Sequence, residues 1–521
     1  MLDHKVDALF ELIRSLSAAE KRSFRLYAGR LKGNEGAKFM KLFDIMGKMR
    51  GYDEKHILKK APVSKIQLAN MKAHLYKQIL VSLRLQHVEQ NRYLQIRECF
   101  DFARILYNKG LYVQSIKSLE KAKFMAREHR LNIVLLELLD FEKMIESQHI
   151  TRSLYPRAEA LANEAKGLIK NVQCHQSLSD LSLSLYGLYL RMGHVRNVQD
   201  RVFVERYFRE NLPKADPEKL DFFERLSLYQ ARLWYYYILQ DFVMCYRASR
   251  KWVDLFEYRP EVKKSALSSY LKGYHYLLDT LFYLNRYAAF LEALERFEIV
   301  FKDNQLVSDD NTAMLVFMYR YTNRIHRHFM EGTFSEGVRM ALPGLFEELK
   351  KFHSRLDQHH IMLLYYKIAC LYFGSGNYEA SIHYLLKIME EQRKGLRQDL
   401  QCFARLLHLI ACYEAGLDER LGSQIKSVYK FFVQMDYWTG VQQAIVDFLK
   451  NLGRLYPHQV KGQFRELKAR LMPYSDHPYE KRTFLYLDII SWLSSKIENK
   501  PVEVIIREKF LKQERCMKEG I

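Results

Sequence analysis

The sequence predicts an all-α protein in which antiparallel helix pairs stack on one another. Three observations carry this. Ten prolines and 22 glycines in 521 residues are too few breakers for the many turns of a β-sandwich or barrel. Apolar residues make up 48% of the chain and recur at three- and four-residue spacing in one segment after another. A turn signature, a small or turn-forming residue followed by a large apolar one, returns at a near-constant interval. The same composition excludes disorder, collagen and low-complexity architecture, which need polar or breaker-rich sequence.

The first segment, 1–90, reads as a small helical N-terminal domain. Val6, Leu9, Phe10, Ile13 and Leu16 share a helix face. Ser17-Ala18-Ala19-Glu20 is a capping box that opens a helix carrying Phe24 and Tyr27. Gly29, Gly33, Asn34 and Gly36 mark a loop, and a helix over 38–49 follows, with Phe39, Leu42, Phe43 and Met46 on one stripe. A short helix at 53–60 precedes the breaker Pro62. A long helix at 64–87 aligns Leu68, Met71, Leu75, Ile79 and Leu83.

From about 92 the helices pair. The clearest pair spans 365–389. Tyr365, Ile368, Ala369 and Tyr372 form the inner face of its first helix, Gly376-Asn377-Tyr378 the turn, and Ser381, Leu385 and Ile388 the inner face of the second. Ser381 is small enough to let the two backbones approach, and Tyr378 suits the wedge where the helices part. Weaker copies stand at Gly110-Leu111-Tyr112 with Ser115, Leu119 and Ala122, at Gly193 with Val195, at Asp241-Phe242 with Cys245, at Arg286-Tyr287 with Phe290, and at Gly332-Thr333-Phe334 with Gly337. Val195, Phe242, Tyr287, Phe334 and Tyr378 are separated by 47, 45, 47 and 44 residues. From Tyr112 to Val195 is 83, two units of about 41, which places a missing turn near Arg152-Ser153-Leu154.

Residues 365–388 resemble the tetratricopeptide repeat: aromatic, apolar, small and aromatic along helix A, then glycine, an aromatic and a small residue into helix B. Only the last slot departs, with Ile388 in place of alanine. The resemblance covers about 92–425 and implies a right-handed α-solenoid with a concave face lined by the A helices. The intervals here exceed that family's roughly 34 residues, so the helices are expected to be longer by one or two turns. Residues 426–521 are expected to continue or cap the stack, with helices near 423–433, 439–454, 459–471, 479–497 and 501–518. Pro501 stands where a helix begins.

Seven cysteines without a CxxC pair point to buried thiols in a reducing compartment. The charged N-terminal segment lacks an apolar signal run, and no stretch approaches the roughly 18 apolar residues of a membrane span. The expectation is a cytoplasmic protein without membrane insertion.

Catalytic motifs are absent. Gly374-Ser375-Gly376 has no following lysine, as a phosphate loop requires, and there is no GxSxG or HExxH. His353, His359 and His360 near Asp357 lack strong metal spacing. Arg324, His326, Arg327 and His328 read as a solvated basic face. No enzyme activity, cofactor or metal is expected.

Recognition is the better reading. With Gly376 as the turn, the concave positions of helix A are Leu363, Tyr366, Cys370 and Phe373. One unit earlier they are Tyr319, Thr322, His326 and Phe329. Before those come Lys272, His275, Asp279 and Phe282, then Ser227, Gln230, Trp234 and Tyr237. Large amphipathic rings repeated along one face suit binding of a protein or peptide partner; the competing reading is that they are plain core. The charge is concentrated: residues 1–90 carry 18 Lys and Arg against nine Asp and Glu, +9 of the total +21. Lys55, Lys59, Lys60, Lys65, Lys72, Lys77 and Arg84 lie in a stretch without any acid. They are candidates for an anionic partner, and the alternative function is a nucleic-acid-linked regulator whose N-terminal domain contacts DNA or RNA.

Overall fold

The computed structural model describes residues 7–30, 35–61, 64–89, 91–148, 154–302, 309–353, 355–390, 397–417, 421–435, 438–452, 457–484 and 488–518. Among these every regular element is helical, 26 α-helices with short 3-10 turns, and most helices pack on their chain neighbours. The chain divides into two units, Met1–Lys170 and Asn171–Ile521.

The first unit holds α1 (Ala8–Ser15), α2 (Ala18–Gly29), α3 (Glu35–Lys48), α4 (Glu54–Lys60), α5 (Lys65–His87), α6 (Arg92–Asn108), α7 (Tyr112–Glu128), α8 (Asn132–Gln148) and the first part of α9 (Leu154–Met192). The capping box at Ser17 is formed: Glu20 N–H donates to Ser17 Oγ at 3.2 Å, and Ser17 N–H to the Glu20 carboxylate at 2.7 Å. Helix α3 begins three residues before its expected start, taking Gly36 into the helix. Leu9, Phe10, Phe24, Leu42, Phe43, Leu75 and Ile79 close one core, and Ile96, Phe100, Leu119, Leu138 and Leu161 a second. Beside the second core, Lys123 and Glu142 are fully buried and paired. Arg157 of α9 donates to Glu142 at 3.0 Å and to Glu120 at 3.0 Å, so this ionic group ties α9 to α7 and α8.

The helix break expected near 152–154 falls between α8 and α9, and what departs from the expected spacing is that one helix fills the interval up to the turn at Gly193. Arg152 and Ser153 lie outside the described residues, and from Leu154 the chain runs 39 residues without interruption. After Pro156 the helix meets only Gly167 and Gly187, single glycines with open space around them. Each costs only about 1 kcal/mol in a helix, too little to end it.

The second unit continues from α9 with α10 (Val198–Asn211), α11 (Phe222–Ile238), α12 (Phe242–Glu257), α13 (Pro260–Ser265), α14 (Leu267–Tyr283), α15 (Tyr287–Val300), α16 (Asp310–Glu331), α17 (Phe334–Met340), α18 (Leu342–Phe352), α19 (Gln358–Gly374), α20 (Tyr378–Met389), α21 (Gln398–Glu414), α22 (Leu421–Gln434), α23 (Gly440–Leu452), α24 (Pro457–Leu471), α25 (Ile489–Glu498) and α26 (Val502–Lys518). Its turns share one geometry. The residue two before each large apolar turn residue is left-handed: Gly193 (φ 72°), Gln240 (61°), Asn285 (52°), Gly332 (65°) and Gly376 (81°). At four of them the next N–H reaches back to the carbonyl five residues earlier at 3.0 Å: Asp241 to Tyr236, Arg286 to Leu281, Thr333 to His328 and Asn377 to Tyr372. This is the Schellman closure, which satisfies a helix-end carbonyl while reversing the chain. The small slot three residues into helix B is buried at Cys245 and Ser381, and a Cβ on Gly337 would lie 2.9 Å from His328 and Leu371.

Two long-range contacts complete this unit. Arg397, itself left-handed (φ 46°), donates its N–H to Leu190 O at 3.1 Å, pinning the start of α21 to the end of α9. Helix α26 lies across successive turns: Gln513 accepts from Asn285, Phe510 packs edge-on to Tyr287, Arg507 donates to Glu331 O, and Glu503 accepts from Ser335 N–H. The helix expected at 479–497 begins only at Ile489, because Asp488 caps it by accepting from Ser491 N–H at 2.9 Å.

Gly332 and Gly376 separate two effects. Both need a left-handed backbone, which costs a residue with a side chain about 1–2 kcal/mol. A Cβ at Gly376 meets nothing, whereas at Gly332 it would lie 2.5 Å from Arg507 N. In chemical denaturation Gly376→Ala is expected to lose about 1–2 kcal/mol and Gly332→Ala distinctly more. Equal losses would show that the approach of α26 carries no weight.

Candidate functional site

Within the second unit, five helices converge on one cavity of about 420 Å³. Helix α9 contributes Tyr186 and Tyr189, α11 Trp234 and Tyr237, and α16 Leu315 and Tyr319. Helix α14 contributes Lys272, His275, Tyr276, Asp279 and Tyr283, and α19 His359, His360, Leu363 and Lys367. All five end in the left-handed turns just described. The cavity crosses the helices obliquely: α11 meets it with its last turns, α14 along its length, and α16 and α19 with their first halves.

The walls are rings. Tyr186 and Tyr189 lie 4.6 Å and 5.4 Å from Trp234, Tyr276 stands edge-on to Trp234 at 5.2 Å, and His275 stacks on Tyr319 at 4.3 Å and 9°. Buried polar groups sit deeper. Asp279 accepts from Tyr237 Oη at 2.9 Å. Burial pushes its carboxyl above the usual range, while Lys367 and the Tyr237 and Tyr283 hydroxyls pull it back. Lys367, 6% exposed, donates to His326 Nε2 at 2.8 Å. Burial pushes its ammonium down to about 8, against the attraction of Asp279. Desolvation also drives His326 and His275 well below 6.5, so both are neutral, and Phe282 stacks on the His326 ring at 4.0 Å.

Lys272 is the other cation. Its Nζ lies 5.3 Å from the Tyr186 ring centroid and 6.0 Å from that of Trp234. Among the described residues no carboxylate comes within ion-pairing distance of it, and burial lowers its pKa. With the imidazoles neutral, two ammonium groups face one carboxylate. The Nδ1 atoms of His275 and His359 are buried without a hydrogen-bond partner. Burial takes His359 down to about 3, while its neighbour His360 holds Asp357 at about 2. Nearby, Arg397 forms a bidentate pair with Asp399 at 2.8 and 2.9 Å and lies over the Tyr189 ring.

Of the sixteen concave-face positions, Trp234, Tyr237, Lys272, His275, Asp279, Tyr319 and Leu363 line this cavity. The others do not. Ser227, Phe282, His326, Phe329, Tyr366, Cys370 and Phe373 are buried, and Gln230 and Thr322 are half-buried away from the cavity wall. Lys367 and Tyr276 were not among the sixteen. Each stands nine residues before its turn residue, Gly376 and Asn285, a position that the sequence frame skipped and one more step on the same helix face would have reached.

Arg324 pairs with Glu298 at 2.8 Å, Arg327 with Glu331 at 2.6 Å, and His328 bonds Thr333 at 2.8 Å; the three line a second cavity in which the glutamates offset the arginines. His353 faces Tyr365 at 3.5 Å, while His360 bonds Asp357 at 2.6 Å. In the first unit Lys72 is held by Asp7 at 2.9 Å and lies over Tyr52, and Arg84 pairs with Asp101 at 2.8 Å. Lys55, Lys59, Lys60, Lys65 and Lys77 are exposed.

Lys367 makes a pH prediction. Its folded pKa of about 8 is below lysine's usual 10.5. Between those values the unfolded chain binds more protons than the folded one, so this residue makes stability rise with pH across that window. Lys367→Met removes the contribution. Its stability relative to wild type is expected to fall by about 3 kcal/mol as pH rises through the window from about 8 to 10.5, read from urea titrations of both proteins. Parallel curves would show that Lys367 does not titrate in the folded state as a desolvated amine. No protein-family model matches this sequence and no curated protein does, so what the cavity can do is read from its own residues.

Proposed function

We propose that the second unit is a right-handed, tetratricopeptide-like solenoid, and that the protein works by binding a protein or peptide partner at the concave face of its A helices, with no bond-making step. One observation carries this reading. Aromatic residues from different turns of neighbouring helices, Tyr186 and Tyr189, Trp234, Tyr276 and Tyr319, line a single cavity. Trp and Tyr there offer large contact area with few rotors to freeze, which is what interface hot spots use. Selection of displayed peptides on the full chain tests it. Binders are expected, and Trp234→Ala should weaken them by about tenfold or more, the effect of losing a hot-spot ring. Peptides that bind Trp234→Ala as well as wild type would overturn the assignment to this face.

A second reading concerns the first unit. Lys55, Lys59, Lys60, Lys65 and Lys77 remain exposed, and Lys60 shares a shallow cleft with Lys41, Lys48 and Arg50. Such a surface suits phosphates. Reversing Lys59, Lys60 and Lys65 to glutamate should abolish binding to DNA or RNA fragments and its salt dependence. Unchanged affinity removes this reading.

A further inference from the structure

We infer that the cavity between α9, α11, α14, α16 and α19 is a binding site for a small planar aromatic acid carrying a single negative charge. Three features of the cavity lead there, and none depends on the partner-binding reading.

The first is size. About 420 Å³ lies within the range of small-molecule sites, which run from roughly 300 to 1,000 Å³. The second is charge. Lys272 and Lys367 line the cavity with one carboxylate, Asp279, whose Oδ2 accepts from Tyr237. A monoanion balances this set; a dianion overshoots it. Lys272 is the cation with no carboxylate beside it among the described residues, so it is the one that a ligand carboxylate would pair with. A buried or half-buried ammonium is stabilised when such a partner arrives.

The third is placement of that charge. The Lys272 ammonium lies within about 6 Å of the Tyr186 and Trp234 ring centroids, the cation–π range. A carboxylate paired with it therefore holds the rest of the ligand against those rings. The His275–Tyr319 stack lines the same cavity. A ligand ring packed against such faces gains about 0.5–1.5 kcal/mol beyond burial from offset and edge-on contacts.

Calorimetric titration of the full chain with indole-3-acetate and 4-hydroxyphenylacetate tests this, with 4-hydroxyphenylacetamide as the neutral isostere and acetate as the anion without a ring. Expected is 1:1 saturable binding of both aromatic acids. The amide should bind about tenfold or more weaker, and acetate should not saturate. Lys272→Met should lose about tenfold in acid affinity with a melting temperature no lower than wild type, and Lys272→Arg should recover the affinity. Trp234 fluorescence should change on binding, and that change should vanish in Trp234→Phe. An amide that binds as well as the acid, a Lys272→Met protein with unaltered acid affinity, or the absence of binding by every probe overturns the proposal. None of these results bears on peptide binding, which the display experiment reads separately.

Discussion

The second unit depends on a backbone constraint: a left-handed residue followed by a Schellman bond, placed every 44–47 residues. A left-handed residue reverses the chain within two positions and lets helix B start directly against helix A. Gly193, Gly332 and Gly376 meet the requirement without a side chain. Gln240 and Asn285 meet it at a steric cost that later contacts offset. Gln240 donates to Val195 O and Tyr479 O at 3.3 Å, and Asn285 donates to Gln513. The C-terminal segments thus hold the turns that are least comfortable by themselves. Because each turn resets the helix direction at a near-constant interval, successive helices meet with a shift of about one turn: Tyr237 on Asp279, His275 on Tyr319, Phe282 on His326.

What those residues then do is set by burial. A desolvated charge is costly unless paired, and burial weighs against the charged form of both Asp279 and Lys367 more than their mutual attraction supports it. The group persists because hydrogen bonds surround it: Tyr237 donates to Asp279, and Lys367 to the neutral His326. Lys123 and Glu142 in the first unit are likewise buried, but Arg157 and Glu120 complete their network. That network is closed by the protein itself, whereas the Lys272 side of the cavity is not. The contrast separates an ionic group that holds helices together from one that leaves charge facing an open volume.

Much of this was legible in the linear chain. The capping box at Ser17, the stripe Phe39, Leu42, Phe43, Met46 and the turn at Gly376 depend on residues close in sequence. Their geometry follows from local hydrogen bonding and 3.6-residue periodicity. The long α9 was not legible, because the interval implies a helix pair between the break near 154 and the turn at Gly193, whereas one helix runs the whole way. The late start of α25 was missed for the opposite reason: its apolar run reads as helix, but the cap that opens it is Asp488. At the site, periodicity found Trp234, Lys272, Asp279 and Leu363 yet could not say which flagged residues face the cavity. Tyr366 and Cys370 share a helix with Leu363 and are buried in the core.

Sequence alone therefore settled the helical class and the interval of the turns, both consequences of near-neighbour physics. It left open which part of each face lines a common volume. That depends on the angle at which successive helices cross, and the angle is fixed by contacts between residues far apart in sequence: Arg397 on Leu190, α26 across the turns, Lys367 against His326. The cavity exists because those distant contacts bring different stretches of five similar helices to the same place.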